Sequence, residues 1–296
     1  MKIRPVYFVI GLLLIMIGIE LFYTQIPLSY ERTARVMGTT VRVKVKGPGA
    51  PHWAMRAIYE MGRIDRLFSK FNPDSEIGLI NRLAGRAPLQ VSADTFDVLK
   101  MAVEINRASK GAFDVTLGRP KALVLDEVNR KVFIRTSNVE RRTSGLDLGG
   151  IGKGYAVESA RRLLLKMGVK SAIIDMHSSI AVIGDGWRVG IRDPREKREE
   201  QGLAGTIVLN NGEALSTSGQ YEQPGHIIDP RTGRPAKKCL SVTVVAYDAA
   251  LTDALSTAVF VLGPADGIKL LRKYGAKAFI IDKNGTIYDN LGVKLR

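Results

Sequence analysis

Four short stretches of this chain carry side chains whose types and spacing suit chemistry on a phosphate. The first is Thr252-Asp253-Ala254-Leu255-Ser256-Thr257-Ala258. Asp253 and Thr257 stand four residues apart, so a helix would place both on one face. A carboxylate and a hydroxyl are hard oxygen donors, suited to Mg²⁺ alongside phosphate oxygens and water. The plainer reading of the same spacing is a helix-start aspartate making a local hydrogen bond. The second stretch is Gly149-Gly150-Ile151-Gly152-Lys153-Gly154. A glycine loop that opens a helix turns free amides and a positive helix end toward an anion. The generic phosphate motifs fail here. A Walker loop needs glycine where Asp147 stands and Ser or Thr where Gly154 stands, and Gly154 falls one residue early for the dinucleotide pattern. Taken alone, the plainer reading of the loop is a tight strand-to-helix turn.

The third stretch, His226-Ile227-Ile228-Asp229-Pro230-Arg231-Thr232-Gly233, sets an imidazole just before an Asp-Pro turn. Such a histidine can take a proton from an attacking hydroxyl, or it can simply hydrogen-bond at a strand end. In the fourth, Gly111-Ala112-Phe113-Asp114, the phenyl ring suits stacking on a flat ring or packing in the core. Asp114 suits accepting a hydrogen bond from a ring nitrogen or a ribose hydroxyl.

These groups need elements to position them. Thr40–Lys46 alternates Val41, Val43 and Val45 with Arg42, Lys44 and Lys46, which predicts a half-buried strand. Trp53, Ile58, Met61, Ile64 and Phe68 recur at near-helical spacing over His52–Phe68. Asn72-Pro73-Asp74-Ser75 is a turn with helix-start chemistry. A further helix is predicted from Ala93 to Ser109, stopped by Gly111. Val132–Arg135 reads as a short strand, and the glycine loop opens a helix over Tyr155–Met167, ended by Gly168. Strands follow at Ala172–Asp175, Trp187–Arg192 and Gly205–Leu209, the last closed by Asn211-Gly212. Beyond a Ser/Thr-rich segment, Ser216–Gly219, come a strand-turn at His226–Pro235 and a strand at Ser241–Ala246. A helix over Ala249–Leu262 capped by Gly263, a terminal helix and a hairpin at Lys283-Asn284-Gly285 complete the order. Helices and strands mix without regular βαβ alternation, which predicts an α+β fold.

With 296 residues, 45% of them hydrophobic, the chain can bury one substantial core, and disordered or fibrous classes are excluded. The net charge of +15 favours anionic partners. Its Lys and Arg are scattered and interleaved with acids, as in Arg195-Glu196-Lys197-Arg198, with no nucleic-acid-binding motif. A single cysteine, Cys239, excludes an internal disulfide, and three distant histidines give no zinc spacing. At the N-terminus Lys2 and Arg4 precede an apolar run from Val6 to Tyr23, long enough to cross a bilayer. No small-residue cleavage site follows, so the run reads as an uncleaved signal anchor with its N-terminus in the cytoplasm. Residues 1–28 are then anchor and linker, and 29–296 form the folded domain on the extracytoplasmic side.

Met37-Gly-Thr-Thr40, Phe68-Ser-Lys-Phe71-Asn-Pro-Asp-Ser-Glu-Ile77, Gly111-Ala-Phe-Asp-Val-Thr116 and Asp147-Leu-Gly-Gly-Ile-Gly-Lys-Gly-Tyr155 occur in that order. Ala214-Leu-Ser-Thr-Ser-Gly219, His226-Ile-Ile-Asp-Pro-Arg-Thr-Gly233 and Asp253-Ala-Leu-Ser-Thr257 follow. Their order and wording resemble the successive motifs of the FAD:protein FMN transferase (ApbE) family, over Met37 to about Leu262. The resemblance implies a single α+β catalytic domain that binds FAD along positions Met37, Phe71, Ala112, Phe113, Asp114, Asp147, Lys153 and Ile227. It implies Mg²⁺ held by Asp253, Thr257 and the backbone carbonyl of Gly150, with His226 as the base and Asp253 also counted as catalytic. The implied reaction is attack by a Ser or Thr hydroxyl of a partner protein on the FMN-side phosphorus of FAD, releasing AMP. The implied partner is a flavinylated subunit of a membrane electron-transfer system. FAD hydrolysis to FMN and AMP, or flavin binding without catalysis, are the alternatives. Two stretches depart from the family pattern: Val115–Leu146 is short, and His177-Ser178-Ser179 stands where a Gly-Gly pair is common.

Overall fold

The computed structural model describes residues 10–16, 29–136, 145–196, 202–220 and 225–295. In chain order the strands are β1 (Ser29–Val36), β2 (Thr39–Lys46), β3 (Leu89–Gln90), β4 (Leu123–Asp126), β5 (Lys131–Ile134), β6 (Ala172–Asp175), β7 (Ser179–Ile183) and β8 (Trp187–Arg192). Then come β9 (Leu203–Leu209), β10 (Ala214–Gly219), β11 (Ile228–Asp229), β12 (Arg234–Pro235), β13 (Cys239–Ala246), β14 (Lys277–Asp282), β15 (Ile287–Asp289) and β16 (Lys294–Leu295). The helices are α1 (Ala50–Phe68), α2 (Glu76–Leu83), α3 (Ala93–Ala108), α4 (Gly152–Lys166), α5 (Ala249–Leu262) and α6 (Pro264–Lys273). The fold is α+β, as predicted.

An antiparallel sheet of eight strands in the order β1-β2-β6-β7-β10-β13-β14-β15 forms the centre. Helices cover one face: α1 lies over β1 and β2, α4 over β6 and β7, α5 over β10 and β13, and α6 over β14. Val41, Val43 and Val45 point into this layer and are fully buried, so the predicted alternation of β2 holds. The three-stranded sheet β16-β9-β8 sits on the opposite side of the central strands. A second apolar cluster that includes Ile180, Val182, Leu215 and Phe279 fills the space between. Strands β7 and β13 are therefore covered on both faces. That is why β7 shows no alternation, and why the sequence reading passed over it.

Strands β1 and β10 lie where the sequence reading gave no strand, while the helix start at Ser75 holds. Strand β1 is an exposed edge strand of polar sequence, joined to β2 by a tight turn in which Met37 and Gly38 both take positive φ (50° and 74°). That backbone follows the right-handed twist of a hairpin. The Ser/Thr-rich segment is strand β10, with most of its hydroxyls buried. Ser75, read as helix-start chemistry, caps α2 by accepting from the Gly78 amide at 2.8 Å. A cap of this kind is worth about 1 kcal/mol.

The Val6–Tyr23 run lies largely outside the described residues. Residues 10–16 within it are helical. Among the described residues no helix is long and apolar enough to cross a membrane.

His177, at one of the departures from the family pattern, occupies the β6–β7 turn with φ of +66°, a conformation that favours glycine. A left-handed non-glycine residue costs about 1–2 kcal/mol. His177→Gly is therefore expected to raise the calorimetric melting temperature by roughly 2–4 °C per kcal/mol relieved. A lowered melting temperature would show that the imidazole contributes more than the turn costs.

Candidate active site

Helices α4 and α5 begin side by side, and their contact builds the centre of the site. The first amides of a helix have no partner within it. Helix α4 has no side chain of its own at its N-cap, Ile151. Instead Asp253, in the second turn of α5, accepts the Gly154 amide on Oδ2 at 2.8 Å. Only a glycine permits this approach. A Cβ at position 154 would lie 2.2 Å from the Ala249 carbonyl oxygen and 2.6 Å from the Asp253 Cβ. The local bond considered for Asp253 thus gives way to one spanning the two helices. The cap of α5 is Asp248, whose side chain accepts from the Leu251 amide.

The Asp253 side chain is nearly enclosed, its residue only 5% exposed. Burial pushes its pKa above the usual carboxylate range, while Lys153 and the Gly154 amide pull it the other way. Among the described residues no ion pair reaches it. The two helix starts are locked together by a buried pair, Glu158 and Arg161, 2.8 Å apart. Glu158 accepts the Ala249 amide at 3.1 Å, and Arg161 donates to the Tyr247 carbonyl at 2.7 Å. Breaking such a pair costs far more than forming it gains, so its main effect is to fix geometry.

Thr257 lies one turn beyond Asp253, facing Gly150. A Cβ on Gly150 would stand 3.2 Å from Thr257 Oγ1 and 3.1 Å from the Phe113 ring. The space left by that missing side chain is therefore walled by a hydroxyl and an aromatic edge. Phe113 is buried, with its amide on Ser109 Oγ at 3.1 Å and its carbonyl on Asn106 Nδ2 at 2.8 Å. Ala112 is buried beside it. Asp114 is engaged in its own loop, accepting from Thr116 N, Thr116 Oγ1 and Gly118 N at 2.9, 2.7 and 2.8 Å.

Asp147 enters from the segment before the glycine loop. Its Oδ2 meets Lys70 Nζ at 2.5 Å and its Oδ1 accepts the Gly149 amide at 2.9 Å. Lys70 also sits 5.1 Å over the ring of Phe71, which is 86% exposed. Met37, at the β1–β2 turn, donates its amide to Asp65 of α1 at 3.0 Å. His226 is exposed, and the buried Ile227 next to it is held through its carbonyl by Gln220 Nε2 and the Ala236 amide, at 3.1 and 2.9 Å. The turn that follows rests on the Phe113–Asp114 loop, since a Cβ at Gly118 would come within 2.7 Å of the Pro230 carbonyl oxygen.

The structure thus gathers Asp253, Thr257, Gly150, Phe113, Lys153 and Asp147 around the start of α4, with the His226–Ile227 loop adjoining through Pro230. Among the described residues no group of three His, Cys, Asp or Glu side chains converges as a metal cluster. The oxygen set here is of a different kind: one buried carboxylate in no ion pair among the described residues, one hydroxyl, and a glycine held against that hydroxyl and a ring. That set fits a hard divalent cation. A separate cavity of 260 Å³ lies along α4, lined by Glu60, Arg63, Asp94, Tyr155, Ser159 and others. Within it Arg63 pairs with Glu60 and Asp94, which also accept from Ser159 and Tyr155.

The ApbE family model matches residues 37–280. The chain belongs to the ApbE family. It is 28% identical to an FAD:protein FMN transferase of Klebsiella pneumoniae (strain 342), over 90% of this chain and 93% of the relative. An FAD:protein FMN transferase of Treponema pallidum (strain Nichols) is 30% identical, over 90% and 88%. A crystal structure of the ApbE protein of Thermotoga maritima superposes with a TM-score of 0.78 at 28% identity, over 88% of this chain and 96% of that one.

Within this ApbE fold, three residues that the sequence reading did not single out support those it did. Lys70 pairs with Asp147. Asn81 brackets Leu146, accepting its amide at 2.6 Å and donating to its carbonyl at 3.1 Å. Ser218 lies against Thr257. Lys70 and Ser218 lay inside quoted motifs, yet no spacing rule marks a partner that is distant in sequence. The start of α4 also needs correcting: Gly152, Lys153 and Gly154 form its first turn, three residues before the predicted start at Tyr155. Of the short Val115–Leu146 segment, residues 137–144 lie outside the described residues, and strands β4 and β5 occupy its middle.

Proposed function

We propose that this chain is a Mg²⁺-dependent FAD:protein FMN transferase, joining FMN through a phosphoester to a Ser or Thr of an acceptor protein and releasing AMP. The observation that carries the reading is the buried Asp253 carboxylate, in no ion pair among the described residues, beside the Thr257 hydroxyl and the Gly150 cradle. Membership of a family whose named relatives are FAD:protein FMN transferases supports it.

Asp253, Thr257 and the Gly150 carbonyl would hold the ion. When bound, Mg²⁺ supplies positive charge against the phosphate oxygens of the departing AMP. Lys153, in the amide-rich first turn of α4, adds charge and a positive helix end toward the pyrophosphate. Phe113, Ala112, Phe71, Met37 and Ile227 offer apolar surface to the flavin and adenine rings, and Asp114 and Asp147 offer acceptors. His226 takes the proton from the acceptor hydroxyl as its oxygen bonds to the FMN phosphorus and the bond to the AMP phosphate breaks. Phosphoryl transfer needs positioning and charge more than covalent help, and rigidly braced helix starts provide the positioning. AMP release measured with and without an acceptor tests the reading: release should accelerate when a Ser/Thr-bearing acceptor is added. FAD cleavage at one rate regardless of acceptor would instead make the chain a pyrophosphatase.

The same proposal places residues 1–28 as a single-pass anchor and 29–296 as the transferase domain on the extracytoplasmic face, acting on a membrane electron-transfer subunit. The apolar Val6–Tyr23 run behind Lys2 and Arg4 supports this. The full chain should remain in the membrane pellet after alkaline carbonate extraction, and its release would refute the anchor.

A further inference from the structure

The Ser216-Thr217-Ser218-Gly219 motif runs along β10, directly against the helix that carries Asp253 and Thr257. Ser218 Oγ is 2.8 Å from Ser256 Oγ and 3.3 Å from Thr257 Oγ1. Ser218 and Ser256 are both buried. Ser256 Oγ in turn lies 2.9 Å from the backbone carbonyl of Asp253.

Each hydroxyl has one proton to give, and a carbonyl can only accept. Ser256 therefore donates to the Asp253 carbonyl. Its proton being committed, Ser256 can only accept from Ser218, so Ser218 donates to Ser256. Ser218 then has no proton left, and its contact with Thr257 requires Thr257 to be the donor. A helical threonine would otherwise turn its proton to the carbonyl four residues back. For Thr257 that is the same Asp253 carbonyl, whose two lone pairs already meet the Ser256 hydroxyl and the helical amide of residue 257. The relay thus runs one way: Thr257 to Ser218 to Ser256 to Asp253 C=O.

We propose that Ser218 is a positioning residue, which draws the Thr257 proton toward β10 and leaves an oxygen lone pair facing the space between Asp253 and Gly150. The relay has a function only where an ion is held there, so it rests on the metal site proposed above. Without it the Thr257 proton is free to point at a cation, which a metal ligand cannot do. Partners of this sort, one step behind the ligand, typically change metal affinity by 10–100-fold.

The test uses the full chain in detergent with Mn²⁺ as the probe, its binding read by electron paramagnetic resonance in the absence of FAD. Ser218→Thr and Ser218→Val have the same shape and differ only in the hydroxyl. Ser218→Thr is expected to bind Mn²⁺ within about twofold of wild type, and Ser218→Val roughly tenfold more weakly. Ser256→Ala, which removes the next link without touching position 218, should weaken binding similarly and stands in if either first variant fails to fold. Equal Mn²⁺ affinity in Ser218→Thr and Ser218→Val, or wild-type affinity in Ser256→Ala, overturns the relay while leaving the metal site intact. A wild-type chain that binds no Mn²⁺, matching Asp253→Ala, overturns the metal site and the relay with it.

Discussion

Asp253→Asn is expected to give a metal-free protein that melts above wild type and has lost nearly all flavin transfer. The two effects have one cause. In the metal-free fold Asp253 is a buried carboxylate whose charge meets a single backbone amide and the field of Lys153. Asparagine keeps an oxygen for the Gly154 amide and fills the same volume, but it carries no charge to desolvate. A gain of about 1 kcal/mol would raise the melting temperature of a chain this size by roughly 2–4 °C. The sign with pH follows from the raised pKa. A group that binds its proton more tightly when folded stabilises the fold at low pH and loses that contribution as pH rises from the ordinary carboxylate value, about 3.9, through the folded one. Melting in EDTA should therefore show wild type and Asp253→Asn together in acid and diverging toward neutral pH. Added Mg²⁺ should raise the wild-type melting temperature by mass action and leave the variant unmoved. Flavin transfer should fall roughly a thousandfold, the several kcal/mol of charge stabilisation that a bound divalent ion supplies. A variant that melts below wild type at neutral pH would mean the carboxylate is already compensated in the folded chain.

The second large effect is expected at Gly154. Alanine there would drive a methyl group to 2.2 Å from the Ala249 carbonyl oxygen, a backbone atom that cannot swing aside. Helices α4 and α5 would have to separate at the point where Asp253 meets the glycine loop. Overpacking of this kind costs about 1–3 kcal/mol, and a lengthened Asp253–Gly154 contact would also spoil the geometry of the ion's ligands. Gly154→Ala should thus both lower the melting temperature and remove most of the transferase activity. Gly152→Ala is the control from the same helical turn. Its new methyl would meet Leu148 Cβ at 3.6 Å and Phe68 Cδ2 at 3.7 Å, ordinary contacts. Alanine is up to about 1 kcal/mol better than glycine within a helix, so Gly152→Ala should melt at or above wild type. Equal behaviour of the two variants in thermal melts would show that the close crossing at Gly154 does not govern the site.

Local signals in the sequence were read well wherever one face of an element is buried. Helix α5 runs from Ala249 to Leu262 with Gly263 at its end, as its apolar run and terminal glycine foretold. The alternation of β2 and the Ser75 helix start were equally legible. What escaped was set by neighbours distant in sequence. Strand β7 is buried on both faces and so lost its alternation, and β10 read only as a Ser/Thr-rich segment because its hydroxyls find partners on α5. Asp253 is the clearest case. Spacing alone offered a local helix-start bond, whereas the structure pairs it with Gly154, ninety-nine residues away. The motif order groups these residues, but their physical connections, Lys70 to Asp147 and Ser218 to Thr257, appear only once the chain is folded.

The central claim is tested most directly by the intact mass of an acceptor protein bearing a flavinylation Ser or Thr, incubated with FAD, Mg²⁺ and either the wild-type chain or Asp253→Asn. With wild type the acceptor should gain the mass of one FMN as an equal amount of AMP appears, and with the variant it should gain none. FMN and AMP released beside an unmodified acceptor, or an Asp253→Asn chain that loads the acceptor at the wild-type rate, would contradict the account.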